Sequence, residues 1–248
     1  MGKRNKLLKI VIPAVLIIAI LIFLILSTDF NIIRNPLLKC GGIYITADTY
    51  KMEVYDCAQS LKDETFGTDT TTDKYATYSQ AFWTAPIEGK MPVEIVKERA
   101  MESIKYYAYF TAECNKNGFK FEGTELQAFR SLMETQFMDL DTQREFGVDE
   151  DGYIAYLADK EKFEKFNDIE IARIEAANQN DIQSKYDEMK KDQPDKDITM
   201  DEARFAVQTD IYNNKIDSII KADPGLFKVD ILDQKAYDSI GLPGIFVF

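Results

Sequence analysis

Residues Ile10 to Leu26 form an unbroken apolar run of 17, placed directly behind Lys3, Arg4, Lys6 and Lys9. Such a run is stable in water only if something covers it on every side, and a bilayer does so. As a helix it would be roughly 26 Å long, the short end of what crosses a hydrocarbon core. Leu7 and Leu8 extend it, since Lys9 can reach back to the headgroups. Pro13 falls in the first turns, where a missing N–H costs least. Four cations and no acid precede the run. The positive-inside rule then expects residues 1–9 in the cytoplasm, 10–27 as a single-pass signal anchor and the rest of the chain outside. A cleaved signal peptide would have a shorter apolar region and a small-x-small site. The run ends instead in Leu26-Ser27-Thr28-Asp29. Leu37-Leu38-Lys39-Cys40 faintly resembles a lipidation site, but Lys39 and the distance from the apolar run argue against it.

Beyond the run stand 42 acids and 26 bases, a net charge of −16. That surface repels nucleic acid and anionic headgroups, so the expected membrane contact is the N-terminal helix alone, with no nucleic-acid partner. The chain contains no histidine. Ser-His-Asp and Cys-His catalysis and nearly all zinc sites go with it. Of the three cysteines, Cys57 and Cys114 each fall on an apolar helical stripe. A disulfide between them would suit an exported domain; as reduced thiols they would act as small core residues. No phosphate loop, dinucleotide fingerprint or nucleophile elbow occurs. Asp149-Glu150-Asp151-Gly152 fails the spacing of a calcium loop. Asp139 and Asp141, two apart on a helix, do not face each other. No catalytic residue, metal or cofactor is expected.

The remaining pattern is helical. Thr46 caps a helix whose apolar stripe is Ala47, Tyr50, Val54, Cys57 and Leu61. Residues 65–90 lose the period and carry Tyr75, Tyr78, Phe82 and the lone Trp83, as a long loop would. Pro92 opens a second helix with Val93, Val96, Ala100, Ile104, Tyr107, Thr111 and Cys114 inward, ended by Asn117-Gly118. Thr124 starts a third, with Leu126, Phe129, Met133, Phe137 and Leu140. Gly147-Val148-Asp149 starts a fourth. From Asp168 to Lys191 the chain is polar and thinly apolar, as projecting arms are. Thr199 caps a last long helix with Ala203, Val207, Ile211, Ile216 and Ile220 inward, stopped by Asp223-Pro224-Gly225. The expectation is an all-α, mainly helical fold of about six helices, with no βαβ alternation. Its parts are a linker over 28–41, a helical lobe over 42–166, an arm and C-terminal helix over 167–228 that pack back on the lobe, and a short β-leaning tail over 229–248.

The aromatics off the stripes are the candidate binding residues: Tyr75, Tyr78, Phe82, Trp83, Tyr106 and Tyr109. A loop cannot bury four rings without a periodic element to present them, and Tyr106 and Tyr109 miss the stripe set by Ile104, Tyr107, Thr111 and Cys114. Exposed rings suit weak, sequence-tolerant contacts with apolar peptide segments.

The order of these signals resembles a known family. Gly42-Ile43-Tyr44-Ile45-Thr46-Ala47-Asp48-Thr49-Tyr50 is similar to the G-x-x-I-T-x-x-x-Y/F opening of SurA/PrsA-type extracytoplasmic foldases. Glu88-Gly89-Lys90 leading into Val93–Ala100, Asn117-Gly118 before Thr124-Glu125-Leu126, and Gly147-Val148-Asp149-Glu150-Asp151 before Tyr156-Leu157 resemble the next breaks in the N-terminal chaperone domain of that family. The resemblance covers roughly 40–230. It implies an elongated SurA N-terminal-like helical domain that binds unfolded or nascent exported polypeptides. The family often carries a parvulin-type proline isomerase domain, and this chain departs from it there. Between Lys191 and Thr199 there is no room for such a domain, and no histidine serves it. A binding protein without its own catalytic site is therefore the expectation. An isomerase-family protein that is degenerate or partner-dependent, or a structural envelope-assembly subunit, stand as alternatives. Oligomeric state is left open.

Overall fold

The computed structural model describes residues 36–66, 82–139, 147–174 and 178–242. The apolar run Ile10–Leu26, Tyr75 and Tyr78 lie outside them. Among the described residues no helix is long and apolar enough to cross a membrane.

The chain is mostly helical, as expected, but the described residues open with strands. β1 (Pro36–Cys40) and β2 (Ile43–Thr46) form an antiparallel hairpin pairing Cys40 with Ile43 and Leu38 with Ile45. Its two-residue turn is Gly41-Gly42, with φ of +56° and +81°. Both left-handed positions are what a type I′ turn demands and what glycine supplies without strain. On its other edge β1 pairs with β3 (Asp230–Ile231), so the sheet order is β2-β1-β3. The segment 28–41 is thus not simply a linker: it holds the central strand, and part of the tail at 229–248 is its neighbour. β1 escapes a period-two search because Leu37 and Leu38 are both buried. A strand covered on both faces does not alternate.

Among the described residues six long helices follow: α1 (Ala47–Phe66), α2 (Pro92–Lys116), α3 (Gly123–Asp139), α4 (Glu150–Ala172), α5 (Gln179–Asp192) and α6 (Met200–Ala222), then the short α7 (Gln234–Ser239). Their ends are chemically marked. Thr46 Oγ1 accepts from Thr49 N–H at 3.1 Å. Pro92 is the first residue of α2, and Gly118 just beyond it has φ +62°. Asp149 accepts from Gly152 N–H at the start of α4, and Thr199 with Glu202 forms a reciprocal capping box at α6.

α2 is central, touching α1, α4, α6 and the hairpin. Its buried residues include Val96, Ala100 and Ile104, and then Tyr107, Ala108 and Tyr109 in succession. These join Leu37, Leu38, Tyr50, Val54, Phe163, Ile216 and Phe227 in the main core. A second cluster joins Met52 of α1, Met133 of α3 and Tyr153, Ile154 and Tyr156 of α4.

The expected arm over Asp168–Lys191 is not one helix. α4 continues through a buried Ile171 to Ala172, and α5 starts at Gln179. α5 does not project alone: its buried Ile182 packs on Ala203 and Val207 of α6. Nor does α6 carry one stripe. Its first half faces α5 with Ala203 and Val207, whereas its second half enters the main core with Tyr212, Ile216 and Ile220. At about 100° per residue these two sets lie nearly opposite each other. Ile211, expected inward, is 37% exposed, and Tyr212 takes its place at 3%.

Candidate functional site

A groove of about 480 Å³ opens between α2, α4 and α6. α2 contributes Tyr106, Tyr107 and Phe110 to it. α4 contributes Lys160, Phe163, Glu164, Asp168 and Ile171. α6 contributes Phe205, Thr209 and Asn213. Phe163 is buried at its base, with ring centroids 5.2 Å from Tyr107 and 5.7 Å from Phe110. Phe205 lies seven residues before Tyr212, two helical turns along the same face of α6. No core element covers it there, and it is 48% exposed.

Beneath the aromatics runs a polar layer joining α1, α2 and α4. Glu53 is 1% exposed. One of its oxygens pairs with Lys160 Nζ at 2.8 Å, and the other accepts from Ser103 Oγ at 2.5 Å. Tyr107 OH donates to Asp159, and Tyr156 OH to Asp56 at 2.5 Å. Burial pushes the Asp56 and Asp159 carboxyls above their usual range, against the opposing pull of the tyrosine hydroxyls. Tyr107 and Tyr156 are raised by the same burial, reinforced by those carboxylates. On the rim, Tyr106 OH donates to Asp217 at 2.5 Å; that bond first, then burial, raises the phenol to about 12. The hydrogen bond ties the Tyr106 ring to α6 beside the groove and lowers the Asp217 carboxyl.

This layer positions side chains; it does not present a nucleophile. Burial raises the Cys40 and Cys57 thiols each to about 11 and raises Cys114 too, so at neutral pH they are protonated. All three are free, so Cys57 and Cys114 form no disulfide. Among the described residues no group of three side chains could hold a metal ion.

Of the expected binding aromatics among the described residues, only Tyr106 lines the groove. Trp83 is 6% exposed, edge-on to a half-buried Phe82 at 4.7 Å, and both pack on the main core. A short helical turn over 82–84 supplies the periodic element that the loop lacked. Tyr109 is 8% exposed against Phe110 and Phe227. It is buried because α2 has partners around more than one face, so a single stripe understates its core. The expectation of exposed rings is thus corrected at Trp83 and Tyr109. Phe110, Phe163 and Phe205 were missed. Phe205 had a signal, since it falls off the Ala203–Val207 stripe as Tyr106 falls off its own.

Compared with protein-family models, curated proteins and solved structures, the chain matches none.

Proposed function

We propose that this is a membrane-anchored extracytoplasmic chaperone, a foldase-like protein that binds unfolded exported polypeptides and has no catalytic site of its own. The observation that carries the reading is the groove: three helices leave an aromatic-lined trough uncovered, with Phe205 and Phe110 offering apolar surface and Tyr106 held at the mouth. Grooves of roughly 300–1,000 Å³ are the usual size for side-chain-scale ligands. Such a trough receives apolar side chains of an extended segment without demanding a sequence, because its contacts are ring faces. The anchor rests on the basic-then-apolar start of the chain, and the SurA/PrsA-type affiliation on the order of capped helices. Of the residues in that order, Thr46, Gly118 and Asp149 lie at or beside helix ends.

The test uses the full chain in detergent micelles with a chemically unfolded secreted protein diluted into it. Suppressed light scattering that Phe205→Ala weakens supports the reading. Unimpeded aggregation at a tenfold excess of the chain refutes it. Acceleration of X-Pro isomerisation by the same sample would refute the absence of catalysis.

A further inference from the structure

The groove's charge is as specific as its rings. Glu164 and Asp168 stand on its α4 wall, both exposed and one helical turn apart. Neither makes an ion pair or hydrogen bond with a described residue. The lysines that might neutralise them are engaged elsewhere. Lys160 is bound to Glu53 at 2.8 Å, and Lys165 to Glu125 at 2.8 Å and Glu161 at 3.2 Å. Like charges at i, i+4 on a helix repel, and here no described cation relieves them. Opposite lie the rings of Tyr106, Phe110 and Phe205. Aromatic faces attract cations through the ring quadrupole, and more so where water is partly excluded. Two carboxylates that no described cation neutralises on one wall, and aromatic rings on the others, are a receptor for a positive charge carried on an apolar body. The field of a domain with net charge −16 draws the same ligand in from a distance.

We propose that the groove selects, among unfolded polypeptides, apolar segments that carry lysine or arginine beside the apolar side chains. The aliphatic or aromatic residue rests on Phe163 and Phe205, and the cation lies between Tyr106 and the Glu164–Asp168 edge. This deepens the chaperone reading and rests on it. It separates a client with basic flanks from one equally apolar with neutral or acidic flanks.

Three labelled peptides of one length share a Phe-Leu centre and differ only in flanking pairs: lysine, glutamine or glutamate. Fluorescence anisotropy measures their binding to the full chain in micelles of a neutral detergent. The lysine peptide is expected to bind at least fivefold more tightly than the glutamine peptide, and the glutamate peptide most weakly. The Glu164→Gln/Asp168→Asn variant should bring the lysine and glutamine peptides within twofold of each other, while Phe205→Ala weakens all three. Both carboxylates are exposed, so these changes leave the core intact. Asp195 and Asp197 are also exposed and lie in the turn between α5 and α6, outside the groove. Their double Asn variant makes the same change in net charge and should keep the discrimination. Equal binding of the three peptides overturns the proposal and leaves the chaperone reading standing. So does loss of discrimination in the Asp195/Asp197 variant, since net charge and not the groove would then select. Binding of none of the peptides overturns the groove reading itself, and this proposal with it.

Discussion

Replacing Lys160 by methionine tests whether the polar layer under the groove is held by charge pairing. The side chain of Glu53 is 2% exposed and that of Lys160 is 40% exposed. The variant keeps an aliphatic stem of similar length and removes the ammonium, leaving a buried carboxylate that still accepts from Ser103 Oγ but has lost its cation. Removing one partner of a fully buried pair costs about 3–5 kcal/mol. Lys160 is over a third exposed, so water already shares its charge, and the cost should fall to about 2–3 kcal/mol. For a domain of this size each kcal/mol moves Tm by about 2–4 °C, so a drop of about 4–12 °C is expected. The single tryptophan, Trp83, is buried and reports unfolding by its fluorescence. The double variant Glu53→Gln/Lys160→Met should recover most of the loss, since a neutral amide can still accept from Ser103. A drop below about 1 °C for Lys160→Met would refute the reasoning. A double variant no more stable than the single would refute it too, because the loss would then come from packing and not from a stranded charge.

Other expectations follow from particular contacts. Asp159 has a folded-state pKa raised above its ordinary 3.8 by burial. The folded form therefore holds its proton to higher pH than the unfolded one, so stability is full below about 3.8 and declines as pH rises through the folded value. Asp159→Asn still accepts from Tyr107 and should be at least as stable as the parent at pH 7, its advantage vanishing near pH 3; urea midpoints at the two pH values check the sign. Trp83→Ala should cost about 3–5 kcal/mol as a core truncation, against no more than about 1 kcal/mol for the half-exposed Phe205→Ala. Thermal melts of the pair distinguish core from groove. A Cβ at Gly152 would lie 2.8 Å from Asp48 Oδ2 and 2.9 Å from its Cβ. Gly152→Ala should therefore push α1 and α4 apart at a cost of about 1–3 kcal/mol, visible as a lowered Tm, whereas Gly89→Ala meets no neighbouring atom and strains only its turn.

Helix positions were legible because their ends are local chemistry. Thr46, Pro92, Gly118, Asp149 and Thr199 each act within four residues of themselves. Burial was legible only where a helix has one partner. It failed on α2, which is wrapped, and on α6, which turns one face to α5 and another to the main core. The β1–β3 pairing was invisible for a different reason: no window of neighbouring residues contains it. The groove is of that third kind. Its rings come from three helices far apart in the chain, and only Tyr106 and Phe205 carried a sequence signal, each by missing a stripe. Glu164 and Asp168 look like any solvated helix face until the partners of Lys160 and Lys165 are known.

The central position of β1 also sets a timetable. Cys40 Sγ donates to the carbonyl of Phe227, 187 positions later, and Gly41 N–H donates to the carbonyl of Leu226 at 3.0 Å. The first of the described strands to be synthesised thus waits for almost the last described segment before its outer edge is closed. At roughly 5–20 residues per second, that interval is on the order of 10–40 s. Throughout it, Leu37 and Leu38 sit in an open edge able to pair with any passing strand. A stop codon or protease cut before Asp230 would make that interval permanent. The damage would appear at the opposite end of the sequence, in the hairpin, while the helices between kept most of their contacts.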